Sequence, residues 1–272
     1  MNTFLDKNNF FLIAGPCALE SEENVMYLAG KIKEITDKLG IKYCFKASWD
    51  KANRTSVEKY RGLGLKKGMQ ILRKAKEEIG VLIATDIHEA WQAEPVSEVA
   101  DIIQIPAFLC RQTDLIKAAA ETRKVINVKK AQFLSPEEMG NVVEKLEYFG
   151  NKDIMLCERG SAFGYNNLIV DMTGLVRMKR LGYPVVFDAT HSVQISGGGE
   201  HFGNSGKREY VPYLARAAMA TGAVDGLFME VHNDPDHAKC DGSCMLHLDK
   251  LENLLQQLIA IRKVQNKYAY NL

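Results

Sequence analysis

Residues 10–17 read Phe10-Phe11-Leu12-Ile13-Ala14-Gly15-Pro16-Cys17, an apolar run that halts at a glycine-proline pair and then presents a thiol. A run of this length closed by Gly-Pro fits a short strand buried on both faces of a parallel sheet, although periodicity alone leaves a helical segment open. Repetition decides the reading. Apolar runs recur at Tyr43-Cys44-Phe45, Val81-Leu82-Ile83-Ala84, Ile102-Ile103-Gln104-Ile105, Val125-Ile126-Asn127-Val128, Ile154-Met155-Leu156-Cys157, Val185-Val186-Phe187 and Leu227-Phe228-Met229. They lead into Lys46 and Ser48, Asp86, Phe108, Lys129 and Lys130, Arg159, His191 and Glu230 respectively.

Helical patterns fill the intervals. In residues 21–39, Val25, Leu28, Ile32, Ile35 and Leu39 recur at spacings of three and four, and Gly40 supplies the stop. Further helices are expected over 67–78, 89–99, 113–122, 171–181, 210–221 and 248–266. Another opens at Ser135-Pro136-Glu137-Glu138, a capping box with proline at the first helical position, and closes near Phe149. Eightfold strand-helix alternation predicts an α/β fold of one closed parallel (β/α)8 TIM barrel spanning 1–272 as a single domain, with an open doubly wound sheet as the alternative. The 272 residues are close to the roughly 250 typical of such a barrel.

The composition, 46% hydrophobic and 25% charged, is that of a globular chain. A formal net charge of +1 gives no overall polyelectrolyte character for nucleic acid or an acidic membrane, so any basic site is local. Six scattered cysteines do not make a disulfide framework, which points to a reducing cytoplasm. No apolar stretch approaches the roughly 18 residues of a membrane span, and no signal peptide is expected.

In barrels the C-terminal strand ends converge on one active site. Here those ends and the loops beyond them carry Lys46, Lys51, Arg54, Arg111, Lys129, Lys130 and Arg159 against few carboxylates. Single surface lysines are usually just solvated; together these cations form a receptor for multiply charged anions such as phosphates. Cys17, His191, Glu230 and Asp241 make a second set, suited to a divalent first-row ion such as Zn, Fe or Mn. Cys240 and Cys244, with no second pair nearby, read as thiols of a loop. Two long connections, 49–66 and the glycine-rich 192–209, have the length of mobile covers, and the glycines match neither a P-loop nor a dinucleotide fingerprint.

The motifs Ala14-Gly15-Pro16-Cys17, Phe45-Lys46-Ala47-Ser48, Asp50-Lys51-Ala52-Asn53-Arg54-Thr55, Gln104-Ile105-Pro106-Ala107-Phe108, Lys129-Lys130-Ala131-Gln132-Phe133 and Asp188-Ala189-Thr190-His191-Ser192 resemble the 3-deoxy-D-manno-octulosonate 8-phosphate synthase family over nearly the whole chain. The resemblance implies a cytoplasmic homotetramer that condenses phosphoenolpyruvate with arabinose 5-phosphate and water, feeding lipopolysaccharide synthesis. A cysteine after Gly-Pro marks the metal-dependent members of that family. By motif, Lys46, Ser48, Gln104, Lys129 and Arg159 would hold phosphoenolpyruvate, and Lys51 would lie between the substrates. Asn53, Arg54, Thr55 and Asp86 would contact the sugar phosphate, with Phe108 and Arg111 reaching in from a neighbouring subunit. Lys51, Lys129 and His191 are the expected catalytic groups. Thr55 for the more usual serine and Ala131 for a common proline are mild departures. Rival readings are the synthase that uses erythrose 4-phosphate, a Schiff-base aldolase acting through Lys129 or Lys130, and a barrel that only binds anions or metal.

Overall fold

The computed structural model describes residues 10–54, 56–165, 167–195 and 206–268. Eight parallel strands run in chain order: β1 (Phe11–Gly15), β2 (Lys42–Lys46), β3 (Leu82–Asp86), β4 (Ile102–Ile105), β5 (Val125–Lys129), β6 (Ile154–Glu158), β7 (Val185–Asp188) and β8 (Gly226–His232). Each pairs with the next, and β8 closes on β1 from Phe11↔Gly226 to Gly15↔Glu230, so the sheet is the expected (β/α)8 barrel and not an open sheet. A short strand, β9 (Leu246–His247), adds to the upper end of β8.

The helices are α1 (Glu22–Leu39), α2 (Leu65–Ile79), α3 (Ala93–Ser97), α4 (Thr113–Glu121), α5 (Met139–Tyr148), α6 (Met172–Lys179), α7 (Val211–Ala220) and α8 (Leu248–Lys267). Helix α1 is stopped as its sequence asks: the Ser21 hydroxyl accepts from the Asn24 amide, and Gly40 takes the left-handed conformation at φ 66°. Two helices differ from expectation. The 89–99 helix is a 3-10 turn (Ala90–Gln92) followed by the short α3, because Pro95 has no N–H to donate to the Trp91 carbonyl and is tolerated only in a new first turn. Regular α5 begins at Met139 rather than Pro136. The reciprocal Ser135–Glu138 capping bonds form, but the first turn is tightened by Met139, Gly140 and Asn141 amides donating three residues back.

Two apolar layers hold the barrel. Leu12, Phe45, Ile103, Val128, Phe187 and Met229 point outward into the layer beneath the helices. Phe11, Ile13, Cys44, Ala84, Ile102, Val125, Met155, Cys157, Val186 and Phe228 fill the interior. Gly226 sits inward opposite Phe11, and a Cβ there would lie 2.1 Å from the Phe11 ring, so the glycine makes room for the largest interior side chain at that level. Side chains alternate along a strand, so the interior parity continues upward to the site. It runs through Cys44 to Lys46 and Ser48, through Val125 to Lys129, through Val186 to Asp188, and through Phe228 to Glu230.

Candidate active site

At the C-terminal end of the barrel lies a cavity of about 460 Å³ lined by Lys46, Lys51, Asn53, Arg54, Asp86, Gln104, Phe108, Lys129, Arg159, His191 and Asp241, among others. The floor of lysines rests on the Phe228 ring, with the Lys129 ammonium 3.7 Å and the Lys46 ammonium 5.6 Å from the ring centroid. Lys46 donates to the Ser48 hydroxyl at 2.7 Å and lies 3.7 Å from Asp86. Burial lowers the Lys46 pKa, with Asp86 partly opposing the shift. Lys129 is bonded to Asp188. Burial would raise the Asp188 pKa, but His191 and Lys129 outweigh it and hold the carboxyl well below its usual range.

His191 connects this floor to the thiol. Its Nδ1 lies 2.8 Å from Asp188 Oδ2, and its Nε2 lies 3.5 Å from Glu230 and 3.7 Å from Asp241. With Nδ1–H donating to Asp188, the Nε2 lone pair faces the two other carboxylates, the arrangement that orients a metal-ligating histidine. Cys17 Sγ donates to Asp241 Oδ2 at 3.1 Å. Ligand atoms of Cys17, Glu230 and Asp241 all lie within 4.8 Å of one another. Both Glu230 carboxylate oxygens are buried without a hydrogen-bond partner. A buried carboxylate without hydrogen bonds, beside a thiol, an imidazole and a second carboxylate, is a donor set that a divalent cation would satisfy. Burial, reinforced by Cys240 and Asp241, pushes the Cys17 thiol up; a bound cation favours the thiolate and would reverse that.

A sequence model of the DAHP synthetase I family matches residues 5–266. The chain belongs to that family. Among its relatives, proteins named 2-dehydro-3-deoxyphosphooctonate aldolase from Cyanothece sp. (strain PCC 7425) and Fusobacterium nucleatum are each 58% identical to this family member. The alignments cover 94% and 96% of this chain and 93% of each relative. The protein of that name from Geobacter sp. (strain M21) is 54% identical over 94% of this chain and 93% of its own length.

Not every expected residue is seen on this cavity's wall in this family member. Ser48 is fully buried behind Lys46, and Thr55 lies outside the described residues. Arg111 is exposed and not among the residues lining this chain's own cavity. The sequence pattern groups Lys130 with the site cations, but its strand parity turns it outward. It is fully buried, bonded to the Ala131 and Leu134 carbonyls and the Ser161 hydroxyl, and 3.5 Å from Glu158. That corrects its assignment to the anion receptor and removes it as an imine-forming candidate.

Sequence reasoning missed Tyr60, His88, Gln132, Gln194 and Lys239 on the cavity wall. It also missed that Cys240 and Cys244, thiols of a loop as expected, are buried there. The 49–66 connection is stitched rather than loose: Asp50 pairs with Gly62, Arg61 binds Asp50 at 2.6 Å, and the Tyr60 hydroxyl donates to the Leu19 carbonyl. For 192–209, residues 196–205 lie outside the described residues. Among the described residues no helix is long and apolar enough to cross a membrane.

Proposed function

We propose that this chain condenses phosphoenolpyruvate with arabinose 5-phosphate and water to give 3-deoxy-D-manno-octulosonate 8-phosphate and inorganic phosphate. The observation that carries the reading is one cavity whose wall gathers Lys46, Lys51, Asn53, Arg54, Lys129 and Arg159. The relatives' shared name supports the same reaction. The family description also covers the erythrose 4-phosphate reaction, which makes the acceptor sugar the quantity to test.

Lys46, Gln104, Lys129 and Arg159 bind the phosphate and carboxylate of phosphoenolpyruvate, with Ser48 holding the Lys46 ammonium from behind. Two anionic substrates repel each other, and fixed, desolvated cations offset that repulsion before the reacting carbons meet. The methylene carbon of phosphoenolpyruvate attacks the sugar aldehyde, whose oxygen takes up a proton; water adds at the phosphate-bearing carbon and loses a proton, and the tetrahedral adduct expels phosphate. Burial would lower the Lys51 pKa, but Cys17 and Glu230 outweigh it, so Lys51 remains an ammonium that donates to the oxygen on which charge develops. Asp86, Asn53, Arg54 and Thr55 hold the sugar phosphate. Cys17, His191, Glu230 and Asp241 would hold a divalent first-row ion, Zn, Fe or Mn. Such an ion supplies Lewis acidity to a carbonyl, or a water of lowered pKa.

The working form is a cytoplasmic homotetramer. Phe108, Phe133, Phe163, Tyr165 and Ile169 are exposed on three successive loops at the cavity's end of the barrel, an apolar belt suited to a neighbouring copy. Arg111 on the same face reaches the neighbour's cavity.

The test is phosphate release from phosphoenolpyruvate with arabinose 5-phosphate against erythrose 4-phosphate, with metal analysis of the same sample. Preference for the four-carbon sugar would move the chain to the other reaction of its family. A covalent adduct trapped by borohydride would favour imine chemistry at Lys129.

A further inference from the structure

Four of the five cations expected at the site and found on the cavity wall face a carboxylate. Lys46 lies 3.7 Å from Asp86, Lys51 3.9 Å from Glu230 and Arg54 3.6 Å from Asp241, and Lys129 bonds Asp188. Arg159 is the exception. Among the described residues no carboxylate lies within 4.0 Å of its guanidinium, although its sequence neighbour is Glu158. Glu158 Oε1 is turned instead to the Arg159 and Gly160 backbone amides, at 2.8 and 2.6 Å, and to Lys130.

The Arg159 guanidinium has a neutral partner: Nη2 donates to Gln194 Oε1 at 2.7 Å, while Nη1 is buried with no partner. Arg159 is only 4% exposed, and burial lowers its pKa. A desolvated cation is costly unless paired, and a carboxylate in place of the Gln194 amide would pair it. That carboxylate would also cancel the charge an incoming anion needs. An amide carbonyl accepts from one arm of the guanidinium and fixes its plane without spending its charge. Gln194 is itself held by the turn that presents His191: its backbone N–H donates to the His191 carbonyl at 3.3 Å, and it bridges to Gly206. One short turn thus serves both the Cys17 group and Arg159.

We propose that Gln194 is a positioning residue for phosphoenolpyruvate, a deliberately neutral acceptor that aims Arg159 and leaves its charge uncompensated until the substrate's anionic groups arrive. The proposal rests on the reading of Arg159 as a phosphoenolpyruvate ligand. A charge-preserving role and a merely structural one make opposite predictions for two substitutions of similar length. Gln194→Glu keeps an acceptor on Arg159 but neutralises it, whereas Gln194→Met loses the hydrogen bond and keeps the charge.

Calorimetric titration of phosphoenolpyruvate, and separately of inorganic phosphate, into the full-length protein distinguishes them. Gln194→Glu is expected to weaken phosphoenolpyruvate binding about 100-fold and Gln194→Met about tenfold. In turnover, Gln194→Glu raises KM for phosphoenolpyruvate and leaves KM for the sugar close to wild type. Phosphoenolpyruvate binding to Gln194→Met as weak as, or weaker than, to Gln194→Glu overturns the proposal, as does an equal rise in both KM values. If Gln194→Glu does not fold, Gln194→Asp and Gln194→Asn repeat the comparison one methylene shorter, and Asp must bind phosphoenolpyruvate more weakly than Asn. Wild type that bound neither anion would overturn the parent reading first, an outcome distinct from a reversed order among the variants.

Discussion

The strand-borne and loop-borne parts of the cavity wall are built differently. The proposed phosphoenolpyruvate ligands Lys46, Gln104, Lys129 and Arg159 stand on or directly after strands whose backbones are laddered to neighbours on both sides, and all four are buried. The proposed sugar ligands Asn53 and Arg54 stand on the 49–66 connection, and the proposed metal ligand Asp241 stands on the loop after β8; side-chain staples keep them in place. Arg54 Nε donates to the Tyr60 carbonyl, and Arg208 grips the Gly242 carbonyl at 2.6 Å and His247 at 2.8 Å. The strand-borne part is preorganised electrostatics, where a lost charge is lost outright. The loop-borne part is adjustable recognition, where one contact is one increment of affinity.

The sharpest break of that comparison is Lys129→Met, expected to reduce turnover about 10³-fold and to cost about 3 kcal/mol of stability by stranding the buried Asp188 carboxylate. Steady-state assays and urea unfolding on the same preparation measure both, and near-wild-type turnover would sink the role given to the strand-borne cations. Cys17→Ala comes next. Metal affinity should fall about 100-fold or more while the barrel stays folded, read by metal content and circular dichroism. If chelator-treated wild type keeps full activity and Cys17→Ala is unchanged, the metal assignment is wrong.

In the loop-borne part, Asn53→Ala should raise KM for arabinose 5-phosphate about tenfold, the value of one hydrogen bond to a hydroxyl. KM for phosphoenolpyruvate should hardly move. Equal changes in both would erase the distinction between the two parts. The smallest effect lies outside both, at Ser135→Ala. Hydrogen bonds from the Ser135 amide and hydroxyl hold the Glu138 pKa below its ordinary value. The carboxylate therefore contributes stability above the unfolded pKa of about 4.3, and loses it as pH falls through the lower folded value. The variant should melt about 2 °C lower at neutral pH, with the gap narrowing in acid. A gap that widens in acid would contradict the sign.

Much of the strand-borne part was legible in sequence because a strand has a period of two and its end is marked by the change from apolar to polar. Lys129 at the end of Val125-Ile126-Asn127-Val128 is such a case, and so is Glu230 after Leu227-Phe228-Met229. The error at Lys130 is instructive, since one step along a strand reverses the face and turns a site cation into a buried bridge to backbone carbonyls. Parity counted from the interior residues Val125 and Phe228 would have separated Lys129 from Lys130.

The chain's own sequence determined the eightfold alternation, the helix stop at Gly40, and the chemical types at the strand ends, because these depend on local periodicity and on backbone preferences of single residues. Only the tertiary structure decided that Gln194 meets Arg159, that Cys240 lies beside Cys17, and that Glu158 serves amides instead of the guanidinium next to it. Those pairings join residues 35 or more positions apart, or turn a side chain away from its nearest neighbour. They are fixed by closure of the barrel and by the competition for buried hydrogen bonds, which no local pattern in the sequence records.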